Sequence, residues 1–212
     1  MIKLYSDSHW LSPYGFSCFV ALREKEIPFD YVAVSLPDKE QQRPEFRDRG
    51  ITGRVPALEH DDFWLAESSA IIEYLEDTFA PPKHPRVLPT DPRQRARARQ
   101  VMAWVRSDLM ALREERPTTT MFYQRTSAPL SPAGREAADK LIRVAELLVP
   151  QGAASLFGAF TSADADLAFM LHRLILNGDE VPARLRAFAE AQWKRPSLRA
   201  FVEQKRPPYR SY

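Results

Sequence analysis

Val55-Pro56-Ala57-Leu58, followed nine residues after Leu58 by Glu67-Ser68-Ser69, is the stretch of sequence that decides the fold. A proline immediately before a short apolar strand is unusual, because proline has no backbone N–H to give to a sheet. A cis Val55–Pro56 bond accounts for it, since cis bonds are kept where a chain turns sharply. The backbone of Val55 is then expected to face a ligand and to pair with an extended peptide as an added strand would.

Glu67-Ser68 follows a second short apolar strand and opens a predicted helix over residues 68–79. The start of a helix offers backbone N–H groups and a positive partial charge to an anion. An acidic side chain beside it can hold an ammonium group. Together with Val55-Pro56, this motif predicts a site for a small zwitterionic peptide.

Composition excludes several classes of protein. The chain has 212 residues, of which 44% are hydrophobic and 27% charged, with a formal net charge of +2. This charge is too small to predict binding to nucleic acid, and no apolar run is long enough to span a membrane. The single cysteine, Cys18, and the scattered histidines give no metal-ligand spacing, so we expect no metal. With no secretory signal at the N-terminus, we expect a cytoplasmic protein.

Residues 1–80 alternate strand and helix signals. Strands over 2–5 and 29–34 flank a helix over 13–25, a weak charged helix follows over 41–49, and strands over 57–60 and 63–66 form a hairpin before the helix over 68–79. A β-α-β unit, then a hairpin, then a helix is the thioredoxin-like order.

The rest of the chain is predicted to be helical. Residues 81–91 read as a proline-rich linker, and Asp91-Pro92 is a helix start. One helix is expected to carry Val101 through Leu112, and a buried central helix is expected over 164–177, opened by Thr161 and Asp164 as a capping box. Residues 92–212 are therefore predicted to form an all-helical domain.

The element order, with V-P-A-L and E-S-S-A-I-I-E-Y-L, resembles the glutathione-binding domain of the cytosolic glutathione S-transferases, and the resemblance runs along the whole chain. It implies a thioredoxin-like α/β domain followed by an all-α domain that carries an electrophile-binding pocket. It also implies glutathione as co-substrate, a small electrophile or peroxide as the second substrate, and a homodimer.

Ser12-Pro13, after the first strand, is a helix-start signature. By resemblance to the serine-type members, theta- and zeta-like, Ser12 matches the hydroxyl that activates the glutathione thiol. Ser-Pro also starts many helices without a catalytic role, so Ser17 and Tyr14, with Ser8 behind them, stay as alternatives. Tyr5 is predicted to pack, and Cys18 to be a small core residue.

The resemblance also implies the remaining site residues. Val55, placed by the following Pro56, would pair its backbone with the cysteinyl residue of glutathione, and Glu67 and Ser68 would hold its γ-glutamyl end. Arg54 and Lys39 are the candidate cations for the glycyl carboxylate. The alternative interpretation of Arg54 is a solvated charge on the surface. The second-substrate pocket would be lined by Trp10, Tyr14, Arg106, Leu109, Met110 and Arg113.

One departure and two alternative functions remain. Gly50-Ile51-Thr52-Gly53 stands where family members commonly carry Asn-Pro shortly before Val-Pro, which puts the contacts to glycine in doubt. The same thiolate could serve a glutathione-dependent isomerase of small acids, like the zeta members. The fold could also serve as a non-catalytic interaction module.

Overall fold

The computed structural model describes residues 1–211 and divides into two compact units. The first comprises Met1–Val87 together with the segment from Ala200 onward, and the second is Leu88–Arg199. The division differs from the predicted bounds at two places. Residues 81–87 of the predicted linker group with the first unit, and so does the end of the predicted helical domain.

The first unit is built on a four-stranded mixed sheet. Its elements are β1 (Ile2–Asp7), α1 (Pro13–Glu24), β2 (Asp30–Val34), a short 3-10 turn (Glu40–Gln42), α2 (Pro44–Gly50), β3 (Ala57–His60), β4 (Phe63–Ala66) and α3 (Ser68–Thr78). The strand order is β2-β1-β3-β4, with β1 parallel to β2 and antiparallel to β3, and β3 antiparallel to β4. This topology confirms the thioredoxin-like prediction, and the Val55–Pro56 bond is cis, as expected.

The core of this unit lies where α1 and α3 pack together against the sheet. Every residue of α1 from Gly15 to Leu22 is buried. Ile71, Ile72 and Leu75 of α3 are fully buried, at the three- and four-residue spacing that puts them on one face. Leu4 and Leu58 present the sheet's apolar face to the same core.

A buried ion pair explains why residues 81–87 belong to the first unit. Lys25 Nζ lies 3.0 Å from a carboxylate oxygen of Glu76, and neither side chain is exposed. Lys25 also donates to the Pro85 carbonyl at 2.9 Å, while the Glu76 carboxylate accepts from the Val87 N–H and from Arg86. Because these contacts satisfy two buried charges, the chain after α3 is fixed to the unit.

The second unit consists of helices. They are α4 (Pro92–Ser107), α5 (Met110–Glu115), α6 (Thr118–Phe122), α7 (Pro132–Leu148), α8 (Ser162–Ile175) and α9 (Ala183–Trp193), with α10 (Pro196–Val202) running on into the last segment. Asp91 caps α4 by accepting from the Gln94 N–H, and Ser131 caps α7 by accepting from the Gly134 N–H. The start of α4 at Asp91-Pro92 lies where the sequence predicts it.

The prediction of one helix through Leu112 is wrong. Helix α4 ends at Ser107, because the Asp108 carboxylate accepts from the Leu109 N–H at 2.7 Å and from the Trp104 indole N–H at 2.9 Å. Leu109 then takes a left-handed backbone conformation, with φ of 62°. Arg106 therefore lies on α4, whereas Met110 and Arg113 lie on α5.

Helix α8 is the centre of the second unit. Every residue from Ser162 to Leu174 is buried, and α4 and α9 pack against it. The predicted capping box is present, with Asp164 accepting from the Thr161 N–H and hydroxyl and also from the Leu156 N–H. Within residues 1–211, none of the helices has both the length and the apolar character that crossing a bilayer requires.

Candidate functional site

Four chain segments meet at one end of the sheet. In the register of the strands, Tyr5 pairs with Ala57 and Ala57 pairs with Ala66, so β1 ends, β3 begins and β4 ends at the same edge. The parallel partner β2 also ends there, where Asp7 pairs with Val34. From this edge the chain leads to Ser12, to Val55, to Glu67-Ser68 and to Lys39. The topology thus gathers the predicted glutathione-binding residues of the first unit around one edge.

The turn between β1 and α1 is organised by a buried carboxylate. Asp7 has no exposed surface, and its carboxylate accepts from the His9 N–H at 3.1 Å and the Leu11 N–H at 2.9 Å. The Asp7 carbonyl accepts from the Trp10 N–H at 3.0 Å. These bonds fix the path of the chain as it reaches Ser12. Sequence reasoning missed Asp7, although an aspartate that bonds the backbone two residues ahead is a known turn signal.

Ser12 is the N-cap of α1, with Pro13 as the first helical residue. Its Oγ accepts from the Gly15 N–H at 3.0 Å, and the side chain is partly exposed. A hydroxyl has one proton and two lone pairs, and this cap uses a lone pair only. The Ser12 hydroxyl proton can therefore be donated to an anion beside the start of α1.

Of the alternatives to Ser12, only Ser17 is less accessible to a ligand. Ser17 is buried within α1, whereas Tyr14 in its first turn and Ser8 in the preceding turn are partly exposed. Cys18 is buried, with its Sγ 3.8 Å from the Ser68 carbonyl oxygen, which confirms the prediction of a core residue.

Tyr5 packs, as predicted. Its ring lies against those of Phe46 and Trp64, and its hydroxyl donates to Glu59 at 2.5 Å. Burial, followed by the bond to Glu59, raises the pKa of Tyr5 to about 12. A hydroxyl held in this way is a poor donor to a second anion.

Val55 and Glu67 lie at the same end of the sheet, before β3 begins and after β4 ends. Val55 is partly buried and lies two residues before the ladder of β3 begins at Ala57. Pro56 is buried beside it. Glu67 is exposed at the N-cap position of α3, with φ of 68°, and Ser68 is the first residue of that helix. The N–H groups that open α3 therefore directly follow Glu67 in the chain, and the Glu67 side chain makes no capping bond to them.

The two candidate cations for the glycyl carboxylate are both exposed. Arg54 directly precedes Val55, and Lys39 precedes the short 3-10 turn with φ of 53°. Their exposure leaves both side chains accessible to an anionic ligand.

The predicted second-substrate residues fall in both units. Trp10 and Tyr14 belong to the first. Trp10 stacks on Tyr31 with ring centroids 3.7 Å apart, so much of its indole face is used in packing. The remaining four belong to the second unit: Arg106, Leu109, Met110 and Arg113.

Those four side chains differ in what they can offer a ligand. Arg106 donates to Asp166 at 2.6 Å, and Arg113 donates to the Arg106 carbonyl at 2.9 Å. Leu109 is only 2% exposed, whereas Met110 is 51% exposed. Met110 is thus the most accessible apolar side chain of the four. A separate cavity of about 230 Å³ in the second unit has a different lining: Arg97, Gln100, Val101, Trp104, Val144 and Leu148.

The described residues, 1–211, contain no cluster of three or more histidine, cysteine, aspartate or glutamate side chains that could hold a metal ion. The sheet edge offers hydrogen-bond donors, the exposed Glu67 carboxylate and the exposed cations Lys39 and Arg54. This donor set suits an organic zwitterion.

Comparison with known proteins decides the family. The family model for the glutathione S-transferase N-terminal domain matches residues 11–78, and the model for the C-terminal domain matches residues 91–205. The chain belongs to the glutathione S-transferase family.

Solved structures of the family resemble the chain over nearly its whole length. A glutathione transferase homolog from Burkholderia, determined with bound glutathione, is 38% identical, with a TM-score of 0.78 over 95% of this chain and 96% of that one. A maleylacetoacetate isomerase from Methylobacterium extorquens, with bound malonate and glutathione, is 25% identical, with a TM-score of 0.73 over 99% of this chain and 100% of that one.

Curated relatives match over a shorter span. Glutathione S-transferase 1 of Dianthus caryophyllus is 40% identical over 111 residues, which are 52% of this chain and 48% of that protein. The chain spans less than half the length of the curated relatives that it matches.

Proposed function

We propose that this chain is a glutathione transferase in which Ser12 stabilises the thiolate of bound glutathione for attack on an apolar electrophile. The observation that carries the proposal is the Ser12 hydroxyl at the start of α1, on the sheet edge to which Val55 and Glu67 also belong. The Burkholderia homolog, 38% identical and determined with bound glutathione, supports the choice of ligand.

Each group at the edge has a part in holding the peptide. The backbone of Val55 pairs with the cysteinyl residue, as one strand pairs with the next. The Glu67 carboxylate binds the γ-glutamyl ammonium, and the N–H groups that open α3 at Ser68 bind its carboxylate. Arg54 and Lys39 are the candidates for the glycyl carboxylate.

The chemistry depends on a thiolate at neutral pH. A free thiol has a pKa of about 8.5, and each unit of lowering requires about 1.4 kcal/mol of preference for the anion. A hydrogen bond to a charged group contributes about 1.5–3 kcal/mol, so the Ser12 hydroxyl and the start of α1 suffice for one to two units.

The thiolate then has two candidate reactions. Attack on an electrophilic carbon forms the S–C bond and releases a leaving group or creates a carbanion that takes a proton. Attack on a peroxide cleaves the O–O bond and gives an alcohol and glutathione sulfenic acid, which a second glutathione converts to the disulfide and water.

A glutathione-dependent isomerase is the second candidate. The likeness to the Methylobacterium maleylacetoacetate isomerase covers nearly the whole of both chains, and a Drosophila protein named as a probable maleylacetoacetate isomerase is 36% identical over 107 residues. In this reaction the thiolate adds to a conjugated carbon–carbon double bond, which becomes a single bond. The substrate rotates about that bond, and the thiolate then leaves so that the double bond forms again. Glutathione is therefore not consumed.

The decisive experiment is calorimetry of glutathione binding, combined with titration of the bound thiol by ultraviolet absorbance, on wild type, Ser12→Ala and Ser8→Ala. We expect all three to bind, and only Ser12→Ala to lose the thiolate near neutral pH. Binding with an unchanged thiol pKa in Ser12→Ala would show that another hydroxyl, Ser17 or Tyr14, activates the sulfur.

Failure of the wild type to bind glutathione would contradict the enzyme proposal and favour an interaction module. Turnover of maleylacetoacetate without loss of glutathione would select the isomerase. A homodimer is part of the proposal, and sedimentation of the purified chain tests it.

A further inference from the structure

The C-terminal segment from Ala200 onward is packed on the first unit, beside the turn that carries Ser12. Phe201 is fully buried, and its ring lies 5.2 Å, centre to centre, from both Trp10 and Phe16. Trp10 is two residues before Ser12 in the turn, and Phe16 is in the first turns of α1. The segment therefore contacts both ends of the stretch that places the Ser12 hydroxyl.

Arg206 connects this segment to the turn by hydrogen bonds. Its Nη1 donates to the Val202 carbonyl at 2.9 Å, at the end of α10, and its Nη2 donates to the Trp10 carbonyl at 3.2 Å. A guanidinium holds its donors in a fixed planar fork, so one side chain can bridge two carbonyls at a defined spacing. Its charge also suits the negative end of α10.

Arg210 makes a second connection four residues later. Its guanidinium contacts both carboxylate oxygens of Asp38, at 2.8 and 3.2 Å, and its backbone N–H donates to His9 Nε2 at 3.3 Å. The hydrogen bond from Arg210, more than any other contact, lowers the pKa of Asp38. Because Asp38 is next to Lys39, the segment reaches two of the loops at the candidate site.

We propose that Arg206 is a positioning residue for thiol activation: by holding the Trp10 carbonyl against the end of α10, it fixes the turn that aims the Ser12 hydroxyl at the glutathione sulfur. Trp10 has φ of 55°, a left-handed conformation that a tryptophan adopts only when its surroundings hold it. Two contacts hold Trp10 in this conformation: the hydrogen bond from Arg206 to its carbonyl and the stacking of Tyr31 on its ring. Arg210 supports the same turn through His9. This inference rests on the proposed function of Ser12.

The test compares Arg206→Ala and Arg206→Lys with Lys205→Ala, a control in which the neighbouring exposed cation is removed. We expect Arg206→Ala to raise the pKa of the bound glutathione thiol by about one unit, which is a tenfold loss of thiolate at low pH. Arg206→Lys keeps the charge but lacks the fork, so a smaller shift is expected. Lys205→Ala should match the wild type.

The pH profile of turnover separates positioning from a purely structural role. A raised thiol pKa moves the rising limb of the profile to higher pH, so that Arg206→Ala and wild type converge at alkaline pH. Loss of folded protein would instead lower the rate by the same factor at every pH. Amide hydrogen exchange of residues 8–12 is expected to be faster in Arg206→Ala and unchanged in Lys205→Ala.

The outcomes distinguish this inference from the proposed function. If the wild type lowers the pKa of the bound glutathione thiol, and both Arg206 variants lower it as much as the wild type does, the positioning role is overturned and the role of Ser12 stands. If Arg206→Ala loses thermal stability without any shift in thiol pKa or pH profile, its role is structural, and the inference is again overturned. Should Arg206→Ala not fold, Arg206→Lys carries the comparison. Wild type that binds no glutathione overturns both proposals.

Discussion

Gly15 lies so close to Ser6 that a Cβ atom at position 15 would stand 1.9 Å from the Ser6 Oγ. Gly15 is in the first turn of α1, and Ser6 is a fully buried residue of β1. The missing side chain thus lets the helix approach the strand. Because Ser12 caps the same helix through the Gly15 N–H, this approach also sets where the candidate activating hydroxyl stands.

We therefore predict that Gly15→Ala destabilises the protein by about 1–3 kcal/mol, the usual cost of overpacking a buried contact. Unfolding in urea measures the change, and the same variant should show a raised pKa of the bound glutathione thiol. Because the close contact is with the Ser6 Oγ, Ser6→Ala in the Gly15→Ala background should recover part of the lost stability.

Gly50→Ala is the matched control for this prediction. Gly50 is also helical, at the end of α2, but its added Cβ would meet its nearest neighbours at an ordinary 3.9 Å. We expect no loss of stability, or a gain of up to about 1 kcal/mol from the better helix former. Equal effects of the two substitutions would contradict the account of Gly15.

The buried pair of Lys25 and Glu76 predicts an asymmetric response to mutation. Glu76→Gln leaves the Lys25 ammonium buried without its counter-charge, and we expect a cost of about 3–5 kcal/mol. Lys25→Met should cost less, because the Glu76 carboxylate keeps Arg86 at 3.1 Å and the Val87 N–H at 3.0 Å. Urea unfolding of the two variants gives the comparison.

Arg47→Ala serves as its control, since the pair of Arg47 and Asp48 lies on the surface with both side chains about half exposed or more. Exposed pairs contribute little, so the expected change is within about 0.5 kcal/mol. A Glu76→Gln variant as stable as Arg47→Ala would show that the interior pair does not hold the chain after α3.

Local signals explain why most element boundaries could be predicted. Ser12-Pro13, Asp91-Pro92 and Ser131-Pro132 each combine a capping side chain with a proline at the first helical position, and each starts a helix in the structure. The motif around Val55 could likewise be predicted, because proline restricts its own backbone and the chain around it.

The predictions that were wrong concern the break between α4 and α5 and the place of the C-terminal segment. They depend on an unfavourable backbone conformation in the first case and on a contact between residues distant along the chain in the second. The break between α4 and α5 depends on Leu109 taking a left-handed conformation, which leucine seldom adopts, so the apolar spacing pointed to a continuous helix. The place of the C-terminal segment depends on Arg206 reaching Trp10, 196 residues away. No local pattern in the Pro-rich tail records that contact.

Glu67 provides a test of binding that is separate from thiol activation. Glu67→Gln keeps the shape of the side chain but removes its charge, so the attraction for the γ-glutamyl ammonium is lost. We expect glutathione affinity to fall about tenfold, with the pKa of the bound thiol unchanged. Calorimetry and thiol titration separate the two effects, and Asp62→Asn, an exposed acid in the β3–β4 turn, is the control. Equal affinities of the two variants would remove Glu67 from the site.

His172 predicts how the stability of the second unit depends on pH. Its ring stacks on Trp193 at 3.9 Å, its Nδ1 bonds the Ala168 carbonyl at 2.8 Å, and it is 2% exposed. Burial, more than any other factor, lowers the pKa of His172 from 6.5 to about 4. Between these values the unfolded chain binds a proton that the folded chain does not, so stability falls as the pH drops through this window.

For this single group, the loss between pH 7 and pH 5 is about 2 kcal/mol. Urea unfolding at the two pH values measures it, with His172→Gln as the comparison because it cannot titrate. We expect His172→Gln to be less stable than wild type at pH 7, since it loses the stack on Trp193. Its stability should nevertheless decrease by about 2 kcal/mol less on acidification. Parallel decreases in the two proteins would show that the proton is taken up elsewhere, and that burial of this ring does not set the acid sensitivity of the helical unit.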